Sequence, residues 1–213
     1  MTDGAAQTPA PAAGPAAGTV PSSQTQATPA DPVTALAARK IHAAFRDAIV
    51  EESLGGRHPY LRITAARLVD VAMCLRDDPD LALDCCHLVS GVDWPAKTPA
   101  DGAGTIDAVY HLVSYTKKPD PAYRKREGKN DAFVVLKVRV PRDRPEVPSV
   151  MGVWAGADWH ERECFDLMGI RFTGRGAMRR ILLPEDWPGH PLRKDWEYPA
   201  EYHGIPIIPP EGR

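Results

Sequence analysis

The residues whose types and spacing could carry catalysis or binding lie between Asp158 and Asp195. This region contains the strings DWHERECFDLMGIRF, MRRILLPEDW and GHPLRKD, in which many charges stand beside large aromatic side chains. Glu161 and Glu163 form a candidate acid/base pair, but two carboxylates without a histidine or metal partner are a weak signal for catalysis. Dense charge beside Trp and Phe instead favours a surface that binds a partner.

Metal and thiol chemistry have little support in the sequence. His160 is a lone imidazole without a second ligand at metal-binding spacing. The four cysteines contain no C-x-x-C pair, which argues against a zinc site, an iron–sulfur ligand set and a disulfide framework. We therefore predict reduced structural thiols, and no catalytic, cofactor-binding or metal-binding residue in this chain.

Composition indicates an ordinary globular protein. Of the 213 residues, 43% are hydrophobic and 25% are charged, and the net charge of -2 gives no electrostatic reason to expect nucleic acid. No apolar run approaches the roughly 20 residues that cross a bilayer, and the N-terminus lacks the apolar region of a signal peptide. We expect a soluble chain that associates with a membrane only through other proteins.

The chain is expected to contain three parts. Residues 1–32 are rich in Ala, Pro, Thr and Gly, which predicts a disordered tail. Residues 33–170 carry the periodicity of a folded α/β domain. Residues 171–213 contain many prolines, which exclude long helices and central strands and predict an extended C-terminal arm.

Hydrophobic periodicity predicts the elements of the middle part. The predicted helices span 33–54, 64–76 and a segment that starts at Asp158 and ends at Gly169. The predicted extended segments are 60–63, 106–115 and 133–140, and 81–89 is either a strand or a strand that turns into one helical turn. This order predicts an α/β (α+β) fold with a small mixed sheet flanked by helices.

The loop between the last two strands carries six Lys and Arg residues within 117–129. Such a loop is compatible with nucleic-acid binding or with a solvated hairpin tip. No aromatic interleaving follows a sheet face as base stacking requires, so the solvated tip is favoured.

The third predicted helix has two interpretations. The D-x-x-E pattern places Glu161 at the third helical position, as in a capping box, and Arg162 and Asp166 share one face. These charges form either exposed surface ion pairs or contacts to a partner. The arm adds Arg179, Arg180, Arg193 and Lys194 beside Trp187, which is the composition of an interface centre.

Three blocks in this region resemble a known family. The string Glu161-Arg162-Glu163 followed by Asp166-Leu167-Met168-Gly169, the block 179–187 and the block 189–195 occur in the order found in the thirty-kilodalton subunit of respiratory complex I, the proton-pumping NADH:quinone oxidoreductase. Weaker similarity begins near Arg62 and includes Gly91-Val92-Asp93. In one departure, Arg175-Gly176 stand where the family usually has His-Pro.

The resemblance implies a non-redox structural subunit of the hydrophilic arm, peripheral on the cytoplasmic face of the bacterial inner membrane. Its expected partners are the quinone-site large subunit and the terminal-cluster subunit of the same arm. FMN, Fe-S clusters and quinone are expected in partner subunits. The expected interface residues are Glu161, Arg162, Glu163, Asp166, Gly169, Arg179, Arg180, Trp187, His190, Arg193, Lys194 and Asp195.

Two rival functions remain open at the level of sequence. The same module also resembles the brace subunit of a membrane-bound hydrogenase or a related quinone-linked dehydrogenase. An RNA-binding protein with a basic arm is a third reading, which the near-neutral net charge disfavours.

Overall fold

The computed structural model describes residues 30–98, 102–116 and 133–207. The predicted tail lies almost entirely outside these ranges, as do the basic residues predicted for the hairpin loop and the last six residues of the arm. Within the described ranges no helix is long and apolar enough to span a membrane.

The described chain contains three α-helices and nine strands. The helices are α1 (Pro32–Ala44), α2 (Leu68–Asp77) and α3 (Ala157–Met168). The strands are β1 (Ile49–Ser53), β2 (Tyr60–Ile63), β3 (Cys85–Pro95), β4 (Gly104–Val113), β5 (Phe133–Pro141), β6 (Glu146–Pro148), β7 (Arg171–Thr173), β8 (Glu201–Tyr202) and β9 (Ile205–Pro206).

The first five strands form one mixed sheet in the order β1-β2-β5-β4-β3. Strands β2 and β5 are parallel, and the other neighbouring pairs are antiparallel. The predicted small mixed sheet with flanking helices is therefore confirmed. A parallel pair needs a long crossover, and here the chain between β2 and β5 supplies α2, β3 and β4.

The core lies between one face of this sheet and the three helices. Val134, Leu136, Val138 and Val140 of β5 are buried in it, as their alternation predicts. Each helix adds apolar side chains to the same cluster. Burying one Val or Leu side chain contributes about 1.5–3 kcal/mol, so this cluster is the main source of stability.

The predicted first helix is wrong beyond Ala44. Asp31 caps the observed helix by accepting the Thr34 backbone N–H at 2.9 Å, but Phe45 already has an extended backbone. The following β-branched pair Ile49-Val50 joins β1, which pairs with β2. Pairing at the sheet edge satisfies this backbone and outweighs the weak local helical periodicity.

The other predicted elements are confirmed with shifted boundaries. The helix predicted from Thr64 begins with a 3₁₀ turn at Ala65–Arg67, and the Thr64 side chain makes no capping hydrogen bond. The predicted strand 81–89 starts only at Cys85, because the preceding chain folds over the end of α2 and buries Leu81 and Leu83. The strands predicted at 106–115 and 133–140 correspond to β4 and β5.

The chain after α3 contains little regular structure. Strand β7 pairs in parallel with β6, and β8 and β9 form a short antiparallel pair. Between β7 and β8, residues 174–200 form turns and irregular chain. We call residues 171–207 the C-terminal arm.

Candidate functional site

Glu161 points inward from the first turns of α3. Its side chain is fully buried and accepts hydrogen bonds from the Ser149 hydroxyl at 2.6 Å and the Val150 backbone N–H at 2.7 Å. The predicted capping box is therefore wrong: Gly156 occupies the N-cap position and no side chain caps the helix. The carboxylate fixes the segment before α3 instead of the helix's own N-terminus.

Arg175 neutralises this buried carboxylate. Its Nη1 donates to Glu161 Oε2 at 2.9 Å, and its Nη2 also contacts the carboxylate of Asp158. Only 7% of the Arg175 side chain is exposed. A guanidinium thus lies between two carboxylates of α3, where the resemblance led us to expect His-Pro.

Asp166 is the main attachment point of the arm on α3. Its Oδ2 accepts three consecutive backbone N–H groups, from Ile181, Leu182 and Leu183, at 2.8–3.0 Å. Its Oδ1 accepts from Arg180 Nη1 at 2.8 Å. Burial alone raises the pKa of Asp166, but these donors outweigh it and hold the pKa below its usual value.

The arm also closes the C-terminal end of α3. Gly169 ends the helix in the left-handed conformation with φ of 72°, as predicted. His190 Nδ1 lies 2.9 Å from the Asp166 carbonyl oxygen, and Arg193 Nε donates to the Met168 carbonyl at 2.8 Å. Carbonyls that lack partners within the helix are thereby satisfied by arm side chains.

A second attachment joins the arm to the end of the sheet. Arg142 donates to Asp93 at 2.7 and 3.0 Å and also binds Asp195. Asp93 in addition accepts the Lys194 backbone N–H at 2.8 Å. The Arg142 guanidinium and this N–H group offset the effect of burial and lower the pKa of Asp93.

Aromatic residues of the arm pack mainly on one another. Trp187 lies 6.5 Å from Trp196 and 5.0 Å from Tyr202 between ring centroids, and Trp196 lies 4.7 Å from Tyr198. The sequence predicts Trp187 as a partner anchor, and in the isolated chain its ring is already partly covered within the arm. This cluster holds the arm in one shape.

The structure divides the predicted interface residues into two sets. Glu161, Asp166 and Gly169 are buried, and Arg180 is largely covered, so they fix the arm. The surface alternative for Asp166, an exposed ion pair, is therefore wrong. The residues left exposed or partly exposed are Arg162, Glu163, Arg179, Trp187, His190, Arg193, Lys194 and Asp195.

Three residues that attach the arm or stand exposed beside it were not predicted from the sequence. Arg142 and Asp93 carry the second attachment, and nothing in their local spacing reveals it. Trp159 on α3 is 63% exposed, with the Arg162 guanidinium 5.6 Å from its ring centre. An exposed Trp beside an Arg is the composition of an interface hot spot, and their close positions in the sequence were a usable signal.

The thiols take no part in this surface. All four cysteines are free. Burial raises the pKa of the Cys86 and Cys164 thiols to about 12, which keeps them protonated and unreactive. In the described ranges no group of three or more His, Cys, Asp or Glu residues is arranged to hold a metal ion.

Comparison with known proteins identifies the chain. Residues 61–202 match the family described as respiratory-chain NADH dehydrogenase, 30 Kd subunit. The chain belongs to this family. The matched range begins in β2 and ends in β8, so it contains both attachments of the arm.

Individual members of the 30-kilodalton subunit family are similar over most of the chain. The corresponding NADH-quinone oxidoreductase subunit from Roseiflexus sp. (strain RS-1) is 43% identical over 164 residues, covering 76% of this chain and 83% of that protein. Its counterpart from Mycolicibacterium gilvum (strain PYR-GCK) is 40% identical over 173 residues, covering 80% and 69%.

A solved structure shares the fold. A chain from the archaeal membrane-bound sulfane sulfur reductase superposes with a TM-score of 0.54 at 23% identity, covering 76% of this chain and 85% of that chain. At this identity the likeness concerns the fold alone.

Proposed function

We propose that this chain is a non-redox structural subunit that braces the hydrophilic arm of a proton-translocating NADH:quinone oxidoreductase. It contributes to electron transfer from NADH to quinone by holding other subunits in position. Its partners carry the FMN, the Fe-S clusters and the quinone site, and the chain reaches the cytoplasmic face of the bacterial inner membrane only through them.

The observation that carries this proposal is the fixation of the C-terminal arm on α3 inside the range shared with the family. Asp166 binds three arm backbone N–H groups and Asp93 binds one, and each carboxylate also binds a guanidinium. The arm and α3 therefore present their remaining charges on a surface that is formed before any partner binds. A preformed surface lowers the ordering cost of association, as a brace requires.

The proposed contact surface consists of exposed and partly exposed charges around one aromatic anchor. We assign it Trp159, Arg162, Glu163, Arg179, His190, Arg193, Lys194 and Asp195, and we name it the brace surface. Charges at the edge of such a surface set specificity and association rate, while half-buried ones such as Arg193 govern dissociation. The proposed partners are the quinone-site large subunit and the terminal-cluster subunit.

Affinity purification of the tagged full-length chain from solubilised membranes tests this function. We expect mass spectrometry to identify a quinone-site subunit, a terminal-cluster subunit and an NADH-oxidising flavoprotein. We expect the preparation to show cluster signals by paramagnetic resonance and to reduce quinone with NADH.

Recovery of nickel–iron hydrogenase subunits in place of the flavoprotein would establish the rival function. The recombinant chain purified alone is the matched control. It is expected to be colourless and inactive with NADH, and a bound flavin or cluster in that sample would refute the non-redox role.

A further inference from the structure

The sheet has a second face, opposite to the helices and the core, which we call the open face. Its charged and aromatic side chains alternate along the strands with core residues. They include Glu51, Tyr60, Arg62, Trp94, Asp107, His111, Phe133, Lys137 and Arg139. None belongs to the brace surface.

The Asp107 carboxylate of the open face accepts hydrogen bonds from neighbouring side chains through both of its oxygens. Asp107 accepts from Arg139 at 2.6 and 2.7 Å and from the Trp94 indole N–H at 3.0 Å. Its side chain is 4% exposed. This pair lies directly across the strands β4 and β5, so the charge of Arg139 is balanced in place.

The Glu51 carboxylate of the open face is also bound by neighbouring side chains. Glu51 forms an ion pair with Arg62 and accepts the Tyr60 hydroxyl at 2.5 Å. Arg62 lies opposite Lys137 in the parallel register of β2 and β5. Two cations therefore adjoin on these strands, and Glu51 pairs with one of them.

Lys137 is the cation of the open face that neither Asp107 nor Glu51 pairs with. Its ammonium lies 3.5 Å from the centre of the Tyr60 ring, and among the described residues it forms no ion pair. Burial lowers the pKa of Lys137. Beside it, Arg62 Nε is buried without a hydrogen-bond partner in the described structure, so this part of the face has more donors than acceptors.

We infer that the open face, centred on Lys137, binds a carboxylate-bearing segment of another subunit. The surplus cation supplies charge complementarity for an Asp or Glu side chain. Trp94 is 49% exposed and Val92 is 37% exposed, and they supply apolar contact area next to Arg139. An aromatic residue and an Arg next to an unpaired cation form the composition of a protein-binding centre.

This inference rests on the proposed function in one respect, since it needs the chain to work inside a multisubunit complex. It adds a second contact on the side of the sheet away from the core. The chain would then contact neighbouring subunits through two separate surfaces, and each contact can fail independently.

Chemical labelling of the purified complex and of the isolated chain tests the open face. We expect acetylation of Lys137 to be slower in the complex by about tenfold or more, because a covered amine reacts only when its contact opens. A zero-length carbodiimide is expected to join Lys137 to an Asp or Glu of another subunit. Lys40, held by Asp78 and Asp80 on the helical side, is the reference lysine.

Equal labelling of Lys137 in both samples would overturn the inference, as would crosslinks of Lys137 confined to carboxylates of its own chain. Protection lost on removing lipid or on nuclease treatment would also overturn it, because the ligand would then be a headgroup or a nucleic acid. In each case an intact, active complex would leave the proposed brace function standing.

Charge variants separate this contact from folding. Lys137→Glu is expected to weaken the retention of this chain in the complex during salt washing by about thirtyfold or more, because it sets like charges against each other in a covered contact. Lys137→Arg keeps the charge and is expected to be retained. Equal retention of both variants, each with unchanged thermal unfolding as an isolated chain, would contradict the inference.

Discussion

The Arg175 guanidinium and the Glu161 carboxylate form a nearly solvent-free ion pair between the arm and α3. Nη1 and Oε2 are 2.9 Å apart, and 7% and 0% of the two side chains are exposed. Arg175 stands where the family resemblance led us to expect a His. A buried carboxylate is costly unless it is paired, and Arg175 supplies the pair for Glu161.

Arg175→Ala is expected to destabilise the isolated chain by about 3–5 kcal/mol, because it leaves the Glu161 charge buried without its cation. Chemical denaturation measures this change. Arg144→Ala is the control, since that side chain is 79% exposed and its loss is expected to cost less than about 1 kcal/mol. Adding Glu161→Gln to Arg175→Ala should recover part of the loss, and no recovery would contradict the charge argument.

Gly169→Ala is expected to loosen the arm. The residue needs a left-handed backbone, which costs a non-glycine residue about 1–2 kcal/mol, and an added Cβ would lie 2.5 Å from the His190 ring and 2.8 Å from Arg193. Hydrogen exchange of residues 181–193 measures the loosening. Gly174→Ala is the matched control, because Gly174 has φ of 77° and open space at its Cβ.

Equal exchange in the two glycine variants would show that backbone strain alone acts. It would contradict close contact between the arm and the end of α3.

Acid is expected to release the arm before the core unfolds. The donors described above lower the pKa of both Asp93 and Asp166 in the folded state. A carboxyl group with a lowered folded pKa contributes stability above its unfolded pKa of about 4, and this contribution is lost as pH falls through the folded pKa.

Hydrogen exchange of the peptide containing Leu182, corrected for intrinsic rates, should therefore rise as pH falls below about 4. Asp166→Asn should raise this exchange at neutral pH and reduce its dependence on pH. Protection that persists at about pH 2, well below the unfolded pKa, would contradict the role of Asp166.

Arg193→Ala is expected to weaken assembly of the complex. The Arg193 guanidinium donates to the Met168 carbonyl through Nε, and it forms no ion pair in the described structure. If its remaining donors bind a partner carboxylate, truncation costs about 2–5 kcal/mol of association. Native electrophoresis of solubilised membranes and NADH-dependent quinone reduction measure this loss.

Arg67→Ala is the matched control for assembly, because Arg67 is 40% exposed and lies at the start of α2. Normal activity at a normal level of the chain in the Arg193 variant would count against the brace surface. A loss in both variants would indicate a general folding defect.

Local sequence patterns were sufficient for most elements. Alternation along β5 predicted which side chains face the core, and Gly169 predicted the end of α3. Both patterns depend on residues a few positions apart. The prediction of the first helix failed because Ile49 and Glu51 pair with β2, a contact between separate segments that no local periodicity records.

The three charged blocks determined the family, and with it the expectation of a partner-binding region. The tertiary structure decided how each charge is used. Asp93 meets the Lys194 backbone 101 residues later, and Arg142 meets Asp195 53 residues later. Residue types show that charges are present, but their roles depend on burial, because a carboxylate is stable away from water only where the fold brings donors to it.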